Sequence, residues 1–182
     1  AYQPQAMPSW VAEVLAAPDA VTVSAVAFTI GLLALAGWAL ILGSQLNTPA
    51  ARVAGAIIAL GAVLDAAGTT APLVLALHLG PACRAGADCL PAGLALLGMS
   101  LAFDALFNLL LGVGLVVLAA ALWNRHAAGR WLASLAGLAG LVSIPVSLQI
   151  GMAWAARLLV VAGPLWLVFI TIASLRMWKG RM

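Results

Sequence analysis

The run LALLGMSLAFDALFNLLLGVGLVVLAAALW, from Leu94 to Trp123, carries a single charged side chain, Asp104. A helix needs about 20 mostly apolar residues to cross a hydrocarbon core of about 30 Å, and this run exceeds that. Read between its polar breaks, the run is a spanning helix.

Working outward, four more segments reach spanning length between polar breaks: Val21 to Gly43, Val53 to Leu79, Trp131 to Ile150 and Arg157 to Trp178. The breaks are Asn47-Thr48-Pro49, Gly80-Pro81 and Asn124-Arg125-His126, with a weaker boundary around Gly151 to Ala156. Pro145 and Pro164 fall inside the last two segments, where each removes a backbone donor and predicts a kink. The expected fold is an all-α integral membrane bundle of five transmembrane helices over 21–178. Ahead of it lies an N-terminal segment, 1–20, in which Trp10 to Ala17 predicts a short interfacial helix. An outer loop at 80–93 and a short basic tail at 179–182 complete the division.

Composition agrees. Of 182 residues, 65% are hydrophobic and 7% charged, whereas a soluble domain has about a quarter charged. The net charge of +3 comes from basic residues scattered beside apolar segments, a pattern of membrane topology rather than of nucleic-acid binding. The expected partners are membrane lipids and other membrane subunits, with no nucleic acid. No basic residue precedes the first apolar run, so no cleavable signal peptide is expected.

Positive residues are retained on the cytoplasmic side. With five spans, Arg52, Arg125, Arg130, Arg176, Lys179 and Arg181 fall on one side, and Arg84 and Arg157 on the other. This places the N-terminus outside and the C-terminus in the cytoplasm, in a bacterial cytoplasmic membrane. Trp123, Trp131 and Trp178 border the cytoplasmic face and Trp154 the outer one, as indole rings prefer the headgroup layer. Small residues at packing spacing, Ala51, Gly55 and Ala59 on the second helix and Ala133, Ala136, Gly137 and Gly140 on the fourth, predict faces turned towards protein.

Asp65 and Asp104 are the most informative polar positions, since an acid near the bilayer centre costs several kcal/mol unless neutral or paired. Thr69 and Asn108 each follow one of them by four residues and share its helical face. An intramembrane cluster of Asp65, Thr69, Asp104, Asn108 and Gln149 is therefore expected. It has two readings: a proton, cation or ligand site, or an interhelical hydrogen bond from a protonated acid to Asn, Thr or Gln149.

Cys83 and Cys89 share the outer loop, on the oxidising side, and a disulfide closing it is expected. A redox-active pair is the rival, although the usual spacing for that chemistry is two intervening residues. His78 and His126 fall at opposite membrane faces, which excludes a haem held by both. His78 with Asp88 or a cysteine leaves a metal site open. The chain has no P-loop, no histidine box, no Gly-x-Ser-x-Gly elbow and no buried lysine, so no catalytic residue and no metal site is assigned, and the cofactor is unknown.

From Asp104 to Arg181 the chain resembles a group of uncharacterised bacterial multi-helix membrane proteins whose domain is of unknown function. The stretches are Asp104-Ala105-Leu106-Phe107-Asn108 with Gly112-Val113-Gly114, Gly129-Arg130-Trp131-Leu132-Ala133, and Pro164-Leu165-Trp166 before a basic tail. The resemblance implies a five-to-six-helix bundle in a bacterial inner membrane with no assigned activity. The expected function is an accessory or scaffold subunit binding a larger membrane complex, lipid or apolar cofactor. The alternatives are a small proton- or cation-linked transporter using Asp65 and Asp104, and an outer-face thiol oxidoreductase.

Overall fold

The structure, a computed structural model, describes residues 7–123, 127–148, 154 and 157–179. Gln149, Arg125, His126 and Arg181 lie outside the described residues. The helices are α1 (Met7–Ala16), α2 (Pro18–Gln45), α3 (Pro49–Gly68), α4 (Thr70–Leu73), a π-helical turn (Val74–Leu79), α5 (Gly80–Arg84), α6 (Leu90–Trp123), α7 (Ala127–Val146) and α8 (Leu159–Trp178). Helices α3, α4, the π turn and α5 run on as one span, Pro49–Arg84. With α2, α6, α7 and α8 this makes, among the described residues, five helices long and apolar enough to cross a membrane, and the protein reads as a multi-pass membrane protein.

Local chemistry explains the ends. Asn47 adopts a positive φ of 50° between α2 and α3, a conformation that Asn tolerates better than most residues. Thr48 then caps α3, its Oγ1 accepting from Ala51 N at 3.2 Å, with Pro49 in the first turn, where no N–H is needed. Gly80-Pro81 does not end the second span: Pro81 sits in the first turn of α5. The expected 80–93 loop shortens accordingly to the stretch between Arg84 and Leu90. Gly86 turns there with a φ of 98°, and the Cys83–Cys89 disulfide closes it.

Successive spans pack side by side, α2 on α3, α3 on α6, α6 on α7 and α7 on α8. The first and last are joined by Trp38, which donates from Nε1 to Ser174 Oγ at 2.9 Å and meets the Phe169 ring edge-on at 6.0 Å. The expected small residues lie on these seams: Ala51, Ala59, Ala133 and Ala136 are buried, as are Gly55 and Gly140, while Gly137 is half-buried. Backbones approach so closely that a methyl group on Gly140 would stand 2.6 Å from the Gly112 carbonyl oxygen.

The spans differ in length. At 1.5 Å per residue, the 34 residues of α6 cover about 51 Å, and the 20 residues of α7 about 30 Å. Gly112 faces Gly140 and Ile144, so the α6 segment preceding about Asn108 extends past the end of α7. There α1 packs instead: Val11 lies against Gly93, and Val11 and Val14 are buried with Leu75 and Ala76 of the π turn.

Candidate functional site

Asp65 sits one turn before the end of α3, and Asp104 lies on α6. Gly61 abuts Phe107 and Leu110, and Gly68 abuts Phe103, so the two helices run in close contact through this level and hold the carboxyls on one pocket. The pocket, about 520 Å³, is open-sided and falls within the usual range of about 300–1,000 Å³ for small-molecule sites. Its remaining walls come from Trp10 and Val14 of α1, from Val21, Ser24, Ala25 and Phe28 of α2, from Thr69 and Pro72, and from Ser100 and Leu101 of α6.

Asp65 is 4% exposed, and its Oδ2 is buried without a hydrogen-bond partner among the described residues. Such an oxygen is costly, because burial strips its water and nothing replaces it. Asp104 is half-buried. Asn108 donates from Nδ2 to the Asp104 carbonyl oxygen at 2.8 Å and to Asp104 Oδ1 at 3.1 Å. Asn108 thus orients the Asp104 carboxyl from below and does not itself line the pocket. Thr69 reaches across to α2, its Oγ1 2.6 Å from Thr29 Oγ1. Among the described residues no Lys or Arg lines the pocket.

The backbone beside the acids is irregular. Pro72 offers no N–H to the Gly68 carbonyl and its ring crowds that oxygen, which accounts for the interruption between α3 and α4 at Thr69. The π turn follows within two residues, a widening of the helix that is common at functional sites.

Trp123, Trp131 and Trp178, all exposed, stand at the same end of α6, α7 and α8. Asp104 lies about 28 Å from Trp123 along α6, nearly a full hydrocarbon thickness. The second and third spans, 36 and 34 residues, are the longest of the five found among the described residues. Asp104 stands nearer the disulfide-loop end of α6 than its Trp123 end.

Of the expected cluster, Asp65, Thr69 and Asp104 meet in one pocket, Asn108 supports it, and Gln149 lies outside the described residues. Sequence reasoning missed the α1 and α2 walls. Ser100, four residues before Asp104, was legible by the same spacing that singled out Asn108. Cys83 and Cys89 form the disulfide, so neither sulfur is a free thiolate for a metal at His78. Among the described residues no group of three or more His, Cys, Asp or Glu could hold a metal ion.

In comparisons with protein-family models, curated proteins and solved structures, no family, protein or structure matches the chain.

Proposed function

We propose that this protein is a ligand-binding membrane protein of a bacterial inner membrane, which takes the polar end of an amphiphilic molecule on Asp65 and Asp104. The observation that carries this reading is the buried, unpartnered Oδ2 of Asp65 in a pocket whose other walls are largely apolar. A molecule with an apolar body and a hydrogen-bonding head would satisfy both. The N-terminus is placed outside and the C-terminus in the cytoplasm, on the distribution of arginines and lysine, which puts the pocket in the outer half of the membrane.

The test is gentle extraction followed by mass spectrometry of what remains bound, in wild type and in Ser24→Trp, which fills the pocket from an exposed position. A small molecule held by wild type and absent from the variant is the expected result. An empty protein held in stoichiometric complex with other subunits would overturn it and return the accessory-subunit reading to first place.

A second reading, a proton- or cation-linked transporter, draws on the helix interruption at Thr69 and the adjoining π turn, since broken helices beside a polar site are a recurrent feature of transporters. Proton flux in liposomes that persists in Asp65→Asn would rule it out.

A further inference from the structure

Resting on the binding reading above, we propose that the ligand is a neutral lipid alcohol, an amphiphile whose hydroxyl head bonds to the Asp65 carboxyl. Three features of the pocket select this class over other amphiphiles.

The first is hydrogen bonding. Asp65 is 4% exposed, it lines the pocket, and its Oδ2 has no partner among the described residues. An ionised carboxyl only accepts, whereas a protonated one also donates. A hydroxyl does both, so it bonds to Asp65 in either state. An ammonium head only donates and a carboxylate or phosphodiester head only accepts, so each suits one state alone. The terminal torsion of an aspartate is broad and two-fold, and a turn of the carboxyl brings either oxygen towards the pocket.

The second is the company of that carboxyl. Three hydroxyl groups, of Ser24, Thr69 and Ser100, line the space beside the acids. Ser24 Oγ donates to the Val21 carbonyl oxygen at 3.0 Å, and its lone pairs can accept from a ligand. Thr69 Oγ1 stands 2.7 Å from the Ala66 carbonyl oxygen and 2.6 Å from Thr29 Oγ1. Each of these groups donates and accepts, and a hydroxyl head enters such a set as one more member of the same kind.

The third is the way in. Val14, Val21, Ala25, Phe28 and Leu101 make one side of the open-sided pocket apolar. Phe28 is also exposed on α2, so that side is continuous with the surface that lipid covers. An alkyl chain can lie there while its head reaches inwards to Asp65. Carrying a hydroxyl along an apolar path costs far less than carrying a charge, and a neutral head therefore reaches the site from the lipid without a water-filled channel.

The test compares dodecanol, its methyl ether, dodecylamine and dodecanoate, four probes with one chain and different heads, by native mass spectrometry of the detergent-solubilised full chain. Saturable one-to-one binding of dodecanol is expected, about tenfold tighter than that of the ether, whose head accepts but cannot donate, and tighter than that of either charged probe. Ser24→Trp should block it, and Asp65→Leu should erase the preference for alcohol over ether. If Asp65→Leu fails to fold, the ranking of the four probes on wild type and its loss in Ser24→Trp decide alone. Equal binding of alcohol and ether, or tighter binding of the amine or of dodecanoate, still blocked by Ser24→Trp, would overturn the alcohol assignment and leave the pocket reading standing, as would a preference that survives Asp65→Leu. Failure of all four probes to bind in a manner sensitive to Ser24→Trp would overturn both.

Discussion

Thr29 and Thr69 illustrate how polar side chains act between helices in a bundle of this kind. Thr29 Oγ1 is 2.8 Å from the Ala25 carbonyl oxygen and Thr69 Oγ1 is 2.7 Å from that of Ala66, while the two hydroxyls are 2.6 Å apart. Two protons serve three short contacts, so the bond between the helices forms at the expense of one local bond. Thr69→Val keeps the shape and removes the hydroxyl's contacts to Thr29 and to the Ala66 carbonyl, leaving Thr29 bonded to Ala25. It should lower stability by about 1 kcal/mol, read by reversible unfolding in mixed micelles. The glycines give a sharper contrast. A methyl at Gly140 meets backbone, whereas one at Gly31 meets nothing within 4 Å. Gly140→Ala should therefore destabilise by about 1–3 kcal/mol, since backbone cannot yield as a side chain can. Gly31→Ala should be neutral or stabilising by up to about 1 kcal/mol. Equal effects at the two sites would refute the packing account.

At the scale of elements, the second span is the one with internal structure. Its interruption follows from Pro72, and restoring the donor in Pro72→Ala should make the helix more regular and the protein more stable to heat. If the irregular backbone is needed to shape the pocket, the same substitution weakens ligand binding, measured by the mass-spectrometric titration. Unchanged binding would show that the break is incidental. The disulfide belongs to this scale too. It closes a short loop, for which chain entropy gives about 2 kcal/mol. The double change Cys83→Ser with Cys89→Ser should cost about that much stability and leave ligand binding intact. A loss of function with unaltered stability would favour the thiol oxidoreductase instead. The element that was hardest to foresee is α1. The sequence predicts a short interfacial helix there, and the docking of Val11 on Gly93 depends on a partner more than eighty residues away.

For the molecule as a whole, the ring of spans closes through Trp38, Phe169 and Ser174. Trp38→Phe removes the indole donor to Ser174 and should cost about 1 kcal/mol, with the loss appearing in the unfolding midpoint. The proposed orientation is tested by fusing a fluorescent reporter that folds only in the cytoplasm to the C-terminus: fluorescence is expected, and its absence with an intact fusion would invert the topology. The five spans and the turn at Asn47 were legible in the sequence because hydropathy and breaker residues act locally. So was the pairing of Cys83 with Cys89, which needs only a short loop. Which face of each helix turns inward was legible only where Ala and Gly mark a close seam, because lipid-facing and buried faces are otherwise equally apolar. Asp65 and Asp104 stood out singly, since a charge in an apolar run is costly wherever it lies. Their meeting in one pocket and its walls of Trp10 and Phe28 were decided by tertiary structure. They depend on helix register and unequal span lengths, which arise only when long helices pack against shorter ones.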